Sequence, residues 1–221
     1  MTTTEQPLSP TERSTIRRGR DRARSDRAEL YAVLDEALIC HFGVVMGGSP
    51  VVLPTCYGRI DDVLYLHGST GARSVATTDG TDICVTVTLV DGLVYARSVM
   101  HHSANYRSAV VHGRARLVRD ADERLAALEA IVEHTTPGSW THARQPNRKE
   151  LAATAVLALD LDEASVKVRT GPPIDEDEDV VAATAWAGVL PIRTSYGRPQ
   201  PCPLLPESIE VPDHLRERAG N

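Results

Sequence analysis

Apolar residues at positions 30, 33, 34, 37 and 38 of "RAELYAVLDEAL" recur at three- and four-residue intervals, the pattern of one buried helix face. Asp26 followed by Glu29 supplies capping-box spacing at its start, so a helix is predicted over about 26–38. The rhythm then changes. "ICHFGVVM", "PVVLPTCYGRI", "VLYLHGS", "DICVTVTLVDGLVYA" and "YRSAVVHGRARLVR" are short, β-branched and separated by G-G-S-P, D-D and D-G turn signals. They predict successive strands, several joined as hairpins. Within "CVTVTL", Val85 and Val87 share one strand face and Thr86 and Thr88 the other. A face of small polar residues suits either the wall of a ligand groove or plain contact with water.

A second helix is predicted over 121–134, "ADERLAALEAIVEH", halted by T-T-P-G, and Asn147 to Glu150 opens a short helical turn. "TAVLALDLDEASVKVRT" reads as a strand bent after Asp160, and "GPPIDEDEDV" as an acidic linker. This order of elements predicts an α+β fold, with an antiparallel barrel as the means of closing the sheet edges. The 221 residues suffice for one substantial domain, placed over 25–193. A polar, Arg-rich arm over 1–24 is expected to be flexible. The proline-rich tail over 194–221 is expected to run extended across the surface or a partner subunit.

Composition narrows the function. A formal charge of -6 argues against a general nucleic-acid binder, although residues 13–27 carry seven arginines. That basic stretch has neither interleaved aromatics nor an apolar face, so it reads as a solvated or dimer-hugging arm. The four cysteines, Cys40, Cys56, Cys84 and Cys202, are widely spaced and suggest neither a zinc site nor a disulfide scaffold. No H-x-x-x-H or H-E-x-x-H pattern joins any of the eight histidines, so no metal ligand set is expected. The amino terminus lacks a signal-peptide core and no run is long enough to span a bilayer. A cytoplasmic protein with no membrane partner is expected.

One stretch asks for a ligand. "LYLHGSTGARS", 64–74, ends an apolar strand in a loop of histidine, hydroxyls, glycines and arginine. With "DRAELYAVLDEALICHFGVV", "VLPTCYGRIDDVLYLHGSTGARS", "VTVTLVDGLVYARS", "HHSANYRSAVVHGRARLV", "KVRTGPP" and "WAGVLPI" in this order, the chain resembles the flavin-binding split-barrel superfamily. The likeness is to the pyridoxamine-phosphate-oxidase-related branch that includes the nitroimidazole-resistance proteins. It implies a six-stranded antiparallel split β-barrel with flanking helices, paired into a homodimer, with FMN in grooves between the subunits.

On that resemblance the loop holds the FMN phosphate. Gly68 and Gly71 would let backbone N–H groups approach, Ser69 would donate a hydroxyl hydrogen bond, and Arg73 would supply a charged fork. Family members often carry lysine at this last position. Pro54, Thr55, Cys56 and Tyr57 would line the ring from one strand, and Val85 and Thr86 from the next. Arg97 would reach the phosphate or the ring edge. Asn105, Tyr106 and Arg107 would come from the second subunit, and Trp186 would cover the outer side. Tyr57 and Tyr106 are equally readable as ordinary strand aromatics, and Trp186 as an interface residue. His67 and Tyr106 are the proton-transfer candidates. His67, His101 and His102 also keep a haem-binding relative of this fold in view, and a deazaflavin or an empty fold stays open. The function implied is an FMN-dependent oxidoreductase, flavin-reductase-like, working by hydride transfer at flavin N5 on a small molecule, with NAD(P)H as a possible donor. The alternatives are a haem-binding protein or a flavin binder without turnover. The oxidase's own C-terminal segment is replaced by "VPDHLRERAGN", so its substrate ligands are not carried over.

Overall fold

The computed structural model describes residues 7–8 and 11–220, and all their side chains but those of Arg73 and Ala76. Its strands are β1 (Ala23–Arg24), β2 (Cys40–Met46), β3 (Ser49–Thr55), β4 (Tyr57–Ile60), β5 (Val63–Ser69) and β6 (Asp82–Tyr95). They continue as β7 (Ser103–Arg114), β8 (Arg116–Leu117), β9 (Thr154–Asp160), β10 (Glu163–Arg169) and β11 (Gly188–Pro191). The helices are α1 (Arg27–Glu36), α2 (Arg73–Ala76), α3 (Ala121–Thr135), α4 (Ser139–His142), α5 (Arg148–Ala153), α6 (Asp177–Ala182) and α7 (Asp213–Gly220).

Two antiparallel sheets face each other. The larger has the order β1-β10-β7-β6-β2-β3, with β11 also on β6, and the smaller the order β4-β5-β9-β8. The chain passes from the larger to the smaller at Cys56 and again at Ala115, and returns between β5 and β6 and between β9 and β10. The predicted bend after Asp160 is therefore a change of sheet. This is the split barrel the resemblance implied, with more strands than six because short edge strands join both sheets.

Strand alternation decides the core. Leu64 and Leu66 of β5, Leu157 and Leu159 of β9, and Val85 and Val87 of β6 meet inside the barrel with Leu30, Val33 and Leu34 of α1. Asp26 opens α1 by accepting from the Ala28 N–H at 2.8 Å, and Arg27 finds Asp62 at 2.7 Å. The opposite faces of β5 and β9, carrying Tyr65, Val156 and Ala158, are covered by Ala127 and Ile131 of α3. These two strands are thus apolar on both sides, whereas β6 keeps threonines on its outer face. Gly58 marks the closest approach of α3: a Cβ there would stand 2.5 Å from the backbone of Ala130 and Ile131.

Asp91–Gly92 departs from expectation. The pair is not a hairpin turn but a bulge inside β6, which continues to Tyr95. The glycine is needed because β11 crosses it: a Cβ would lie 3.0 Å from Val189 Cγ1 and 3.1 Å from the Leu190 carbonyl. The hairpin reverses later, through the 3-10 turn Val99–His101.

The described residues near both ends of the sequence pack on the rest of the fold. Arg13 grips Glu163 on β10 at 2.9 and 2.7 Å and reaches Asp82 at 3.2 Å, while β1 pairs with Val166 and Lys167. At the other end, α7 interrupts the extended tail. Arg218 stacks on Tyr196 at 4.3 Å and donates to the Thr135 carbonyl at 2.7 Å, and His214 lies edge-on to His142 at 5.2 Å. No helix among the described residues is long and apolar enough to cross a membrane.

Gly58→Ala is expected to cost more than about 3 kcal/mol of stability in urea denaturation, because backbone on both sides must move. A change within about 0.5 kcal/mol would show that α3 does not press on β4. A second expectation concerns acid. The hydrogen bonds from Arg13 and Thr11 hold the Glu163 carboxyl down to about 2, below the ordinary 4.5. Its grip on the arm is therefore fully present above the ordinary value and is lost as pH falls from there toward the lowered one. Hydrogen exchange of residues 11–24 should rise, relative to the barrel strands, over that interval. Unchanged relative protection at both ends of it would contradict the clamp.

Candidate cofactor site

The end of β5 is built around small residues. A Cβ on Gly68 would sit 2.6 Å from Val75 Cγ2, so the glycine lets α2 tuck against the strand. Beyond it, Thr70 bonds the Ala153 carbonyl through its N–H at 2.9 Å and its hydroxyl at 3.3 Å. The Ala72 N–H closes onto the Ser69 carbonyl at 2.8 Å, and Ser69 Oγ accepts from the Gly71 N–H at 3.2 Å. The result is a tight turn that leaves the Ser69 hydroxyl hydrogen able to donate. The Arg73 side chain lies outside the described residues, and its backbone opens α2.

His67 precedes this turn on the outer face of the smaller sheet. It lines a cavity of about 340 Å³ walled by Leu128 and Val132 of α3, Trp140 of α4 and Leu151 of α5. Arg144 and Glu150, paired at 2.6 Å, stand on its wall, and a capping box from Asn147 to Glu150 sets the start of α5. Arg144, helped by the Asn147 N–H, holds Glu150 down to about 2. Although His67 is exposed overall, partial desolvation of its ring lowers its pKa from the ordinary value. The tail braces this wall from behind, where the His214 ring packs on Gly138 at the start of α4.

A second group lies on the outer face of the larger sheet. The strand register sets His41 of β2 opposite Pro54 on one side and Thr86 on the other. Pro54 and His41 are exposed; Thr86 is half-buried and donates to the Ala109 carbonyl at 3.2 Å. Thr55 and Cys56 are half-buried, and Thr55 Oγ1 donates to the Cys56 carbonyl at 3.2 Å. Sequence reasoning passed over His41, yet the G-G turn at 47–48 and two-residue alternation already imply its pairing with Pro54.

Two of the residues expected at the ring lie inside the barrel. Tyr57 is fully buried, its hydroxyl donating to the carbonyls of Leu34 and Ala37, and Val85 is fully buried between the sheets. Both occupy the inward parity of their strands, so neither reaches a surface groove. Arg97 is engaged within the chain. Its N–H and guanidinium both close on Asp175, at 2.8 and 2.7 Å, and the Asp175 side chain is 2% exposed. Burial pushes that carboxyl up, but the two Arg97 contacts outweigh it and the net shift is downward.

The remaining predicted residues stand on the long β6–β7 hairpin and its neighbours. Asn105 is buried, donating to the Gly171 carbonyl at 3.1 Å and accepting from Arg169. Arg107 is bound by Glu36 and Asp91, each at 2.7 Å through Nη2. Tyr106 is half-buried opposite Arg169 in the register. Trp186 is 69% exposed and leans on Tyr95, with ring centres 6.0 Å apart. His102 accepts the Ala96 N–H at Nδ1, at 2.9 Å, and His101 bonds the Ile174 carbonyl at 2.8 Å. No three His, Cys, Asp or Glu side chains among the described residues cluster as a metal site.

Comparison with known proteins agrees with this architecture. The family profile described as pyridoxamine 5'-phosphate oxidase matches residues 26–168, and the chain belongs to that family. No curated protein matches it. Among solved structures, the flavocytochrome Anf3 from Azotobacter vinelandii is 40% identical, covers 96% of this chain and 99% of its own, and superposes with a TM-score of 0.90. An FAD and haem binding protein from Mycobacterium smegmatis is 36% identical over 89% of this chain and 97% of its own, with a TM-score of 0.84. A nitroimidazole antibiotic resistance protein from Bacteroides thetaiotaomicron, 23% identical over 66% of this chain and 86% of its own, shares the fold at a TM-score of 0.56.

The environment of His67 yields a direct expectation. Its imidazole should titrate below the ordinary 6.5 in a histidine-resolved NMR titration, because the charged form is disfavoured by burial. A midpoint above that value would mean that a carboxylate reaches the ring.

Proposed function

We propose that this protein is a flavin- and haem-binding redox protein, with FAD as the flavin and a flavin-dependent oxidoreductase activity. What supports this most is the pair of relatives, one a flavocytochrome and one an FAD and haem binder, each similar over nearly the whole chain. The first expectation of FMN, with haem as its substitute, becomes a reading in which both cofactors are held. Bound flavin would supply hydride or single-electron transfer and haem a one-electron iron couple.

The residues fit both groups. The Ser69–Gly71 turn offers a hydroxyl donor beside backbone N–H groups, and Arg73, at the start of α2, is our candidate for the phosphate charge. Pro54, His41 and Thr86 form an open row suited to one face of a planar ring. The His67 cavity sets an imidazole among Leu128, Val132, Trp140 and Leu151, with the Arg144–Glu150 pair also on its wall, and an imidazole nitrogen can serve as an axial iron ligand. Leu128, Val132 and Trp140 would keep water from that face of the site. Tyr106, whose hydroxyl has no hydrogen-bond partner among the described residues, is the proton donor we favour.

A second copy of the chain is the expected partner. Val90, Leu93, Tyr95, Leu190, Ile192 and Trp186 are exposed along β6, β11 and their flanks, the kind of grouped apolar surface that protein interfaces cover. Tyr106 stands half-buried on β7 beside this surface, so a homodimer would carry it toward the neighbour's cofactor groove, while Asn105 is buried and Arg107 is held by Glu36 and Asp91.

The test is optical. Purified protein should show flavin absorption together with an intense haem Soret band, release FAD on denaturation, and be reduced anaerobically by NADPH. His67→Ala should lose the haem band and keep the flavin. Retention of haem by His67→Ala, or release of FMN alone from a haem-free protein, would overturn the reading.

A further inference from the structure

The segment "KVRTGPP" at the end of β10 has no part in the sites described so far. Its arginine, Arg169, is 6% exposed, and its one hydrogen bond is from Nη1 to the neutral side-chain oxygen of Asn105. No carboxylate pairs with it among the described residues. The contrast with the other well-covered arginines is sharp, since Arg27 has Asp62 and Arg97 has Asp175, each at 2.7 Å. A guanidinium taken out of water without a counter-ion is unfavourable unless an anion arrives. Burial, reinforced by the nearby Arg22, lowers its pKa, and the Tyr106 phenol acts the other way.

Arg169 lines a cavity of about 260 Å³ between the N-terminal segment and the loop after β10, together with Asp21, Arg22, Arg24, Thr170 and Ile174. Arg24 is taken up by the Asp21 and Ala23 carbonyls, at 3.1 and 3.0 Å, and by Glu29 at 3.4 Å. Arg22 has only the adjacent Asp21, at 3.8 Å, whose side chain is 79% exposed. Among the described residues the cavity thus holds two guanidiniums, Arg22 and Arg169, of which only Arg22 meets a carboxylate, next to the exposed Thr170. The fold maintains the arrangement. β1 pairs with β10 and fixes Arg22 beside the strand end, while Asn105, bonded also to the Gly171 carbonyl, holds Arg169 in place.

We infer that this cavity is an anion site for a phosphate group, with Arg22 and Arg169 as charge partners and Thr170 as hydroxyl donor. A phosphate spreads its oxygens tetrahedrally toward donors on different sides, and its double charge offsets both guanidiniums, which the single charge of a carboxylate does not. The cavity shares no residue with the one at His67, so the site stands whether or not haem binds there. Its phosphate comes either from a free nucleotide or from the adenylate half of the bound flavin.

Two arms separate these sources. Calorimetric titration of the purified holoprotein with inorganic pyrophosphate, in low-chloride buffer, should give saturable binding at one site per chain if the cavity is open. Arg22→Ala should weaken it at least about tenfold and Arg169→Gln should abolish it. If instead the flavin's phosphates fill the cavity, pyrophosphate will not bind the wild type, and both variants will be purified with less FAD, counted against total protein. Arg22 lies in the surface turn Arg20–Arg22, so its removal leaves the core intact even if Arg169→Gln fails to fold. Wild type that binds no pyrophosphate, with Arg22→Ala keeping its full FAD, overturns the proposal. Pyrophosphate binding of equal strength in Arg22→Ala overturns it too.

Discussion

Everything in this molecule follows from which face of each strand the barrel interior takes. Leu64, Leu66, Val85, Val87, Leu157 and Leu159 must meet one another inside, because leaving such residues in water would forfeit about 1.5–3 kcal/mol each. Alternation then sends their sequence neighbours outward. His67, Ser69 and Thr86 are at the surface because Leu66 and Val85 are not. The crossings at Cys56 and Ala115 let one chain serve both sheets, so the polar positions of both remain outside a single dry core.

That constraint explains what could be read in advance. The helices over 26–38 and 121–134 and most strands were legible because each has one apolar face at the proper period. The site was legible where composition breaks sharply, as in "HGSTGARS". The burial of Tyr57 and Val85 was not legible, because a resemblance names neighbouring residues in a strand without saying which parity faces inward. Thr86 carries the same information as Val85 in a motif, yet only one of them can meet a ligand.

Long-range pairs were not legible. Arg97 is joined to Asp175 across 78 positions, and nothing local distinguishes that aspartate within "IDEDED". Asp91–Gly92 has the composition of a tight turn, but a crossing strand, β11, makes it a bulge. Arg169 looks like any basic strand-end residue until burial shows that no carboxylate meets it. Each of these depends on what a distant segment brings to the residue.

We propose that iron is held on the outer face of the smaller sheet, at His67. Anomalous diffraction at the iron edge, from crystals of the protein as purified, tests this directly. The account predicts an anomalous peak at ligation distance from a ring nitrogen of His67, inside the cavity bounded by Trp140 and Leu128. A peak at His101 or His102 instead, or crystals with flavin density and no iron signal, would contradict it.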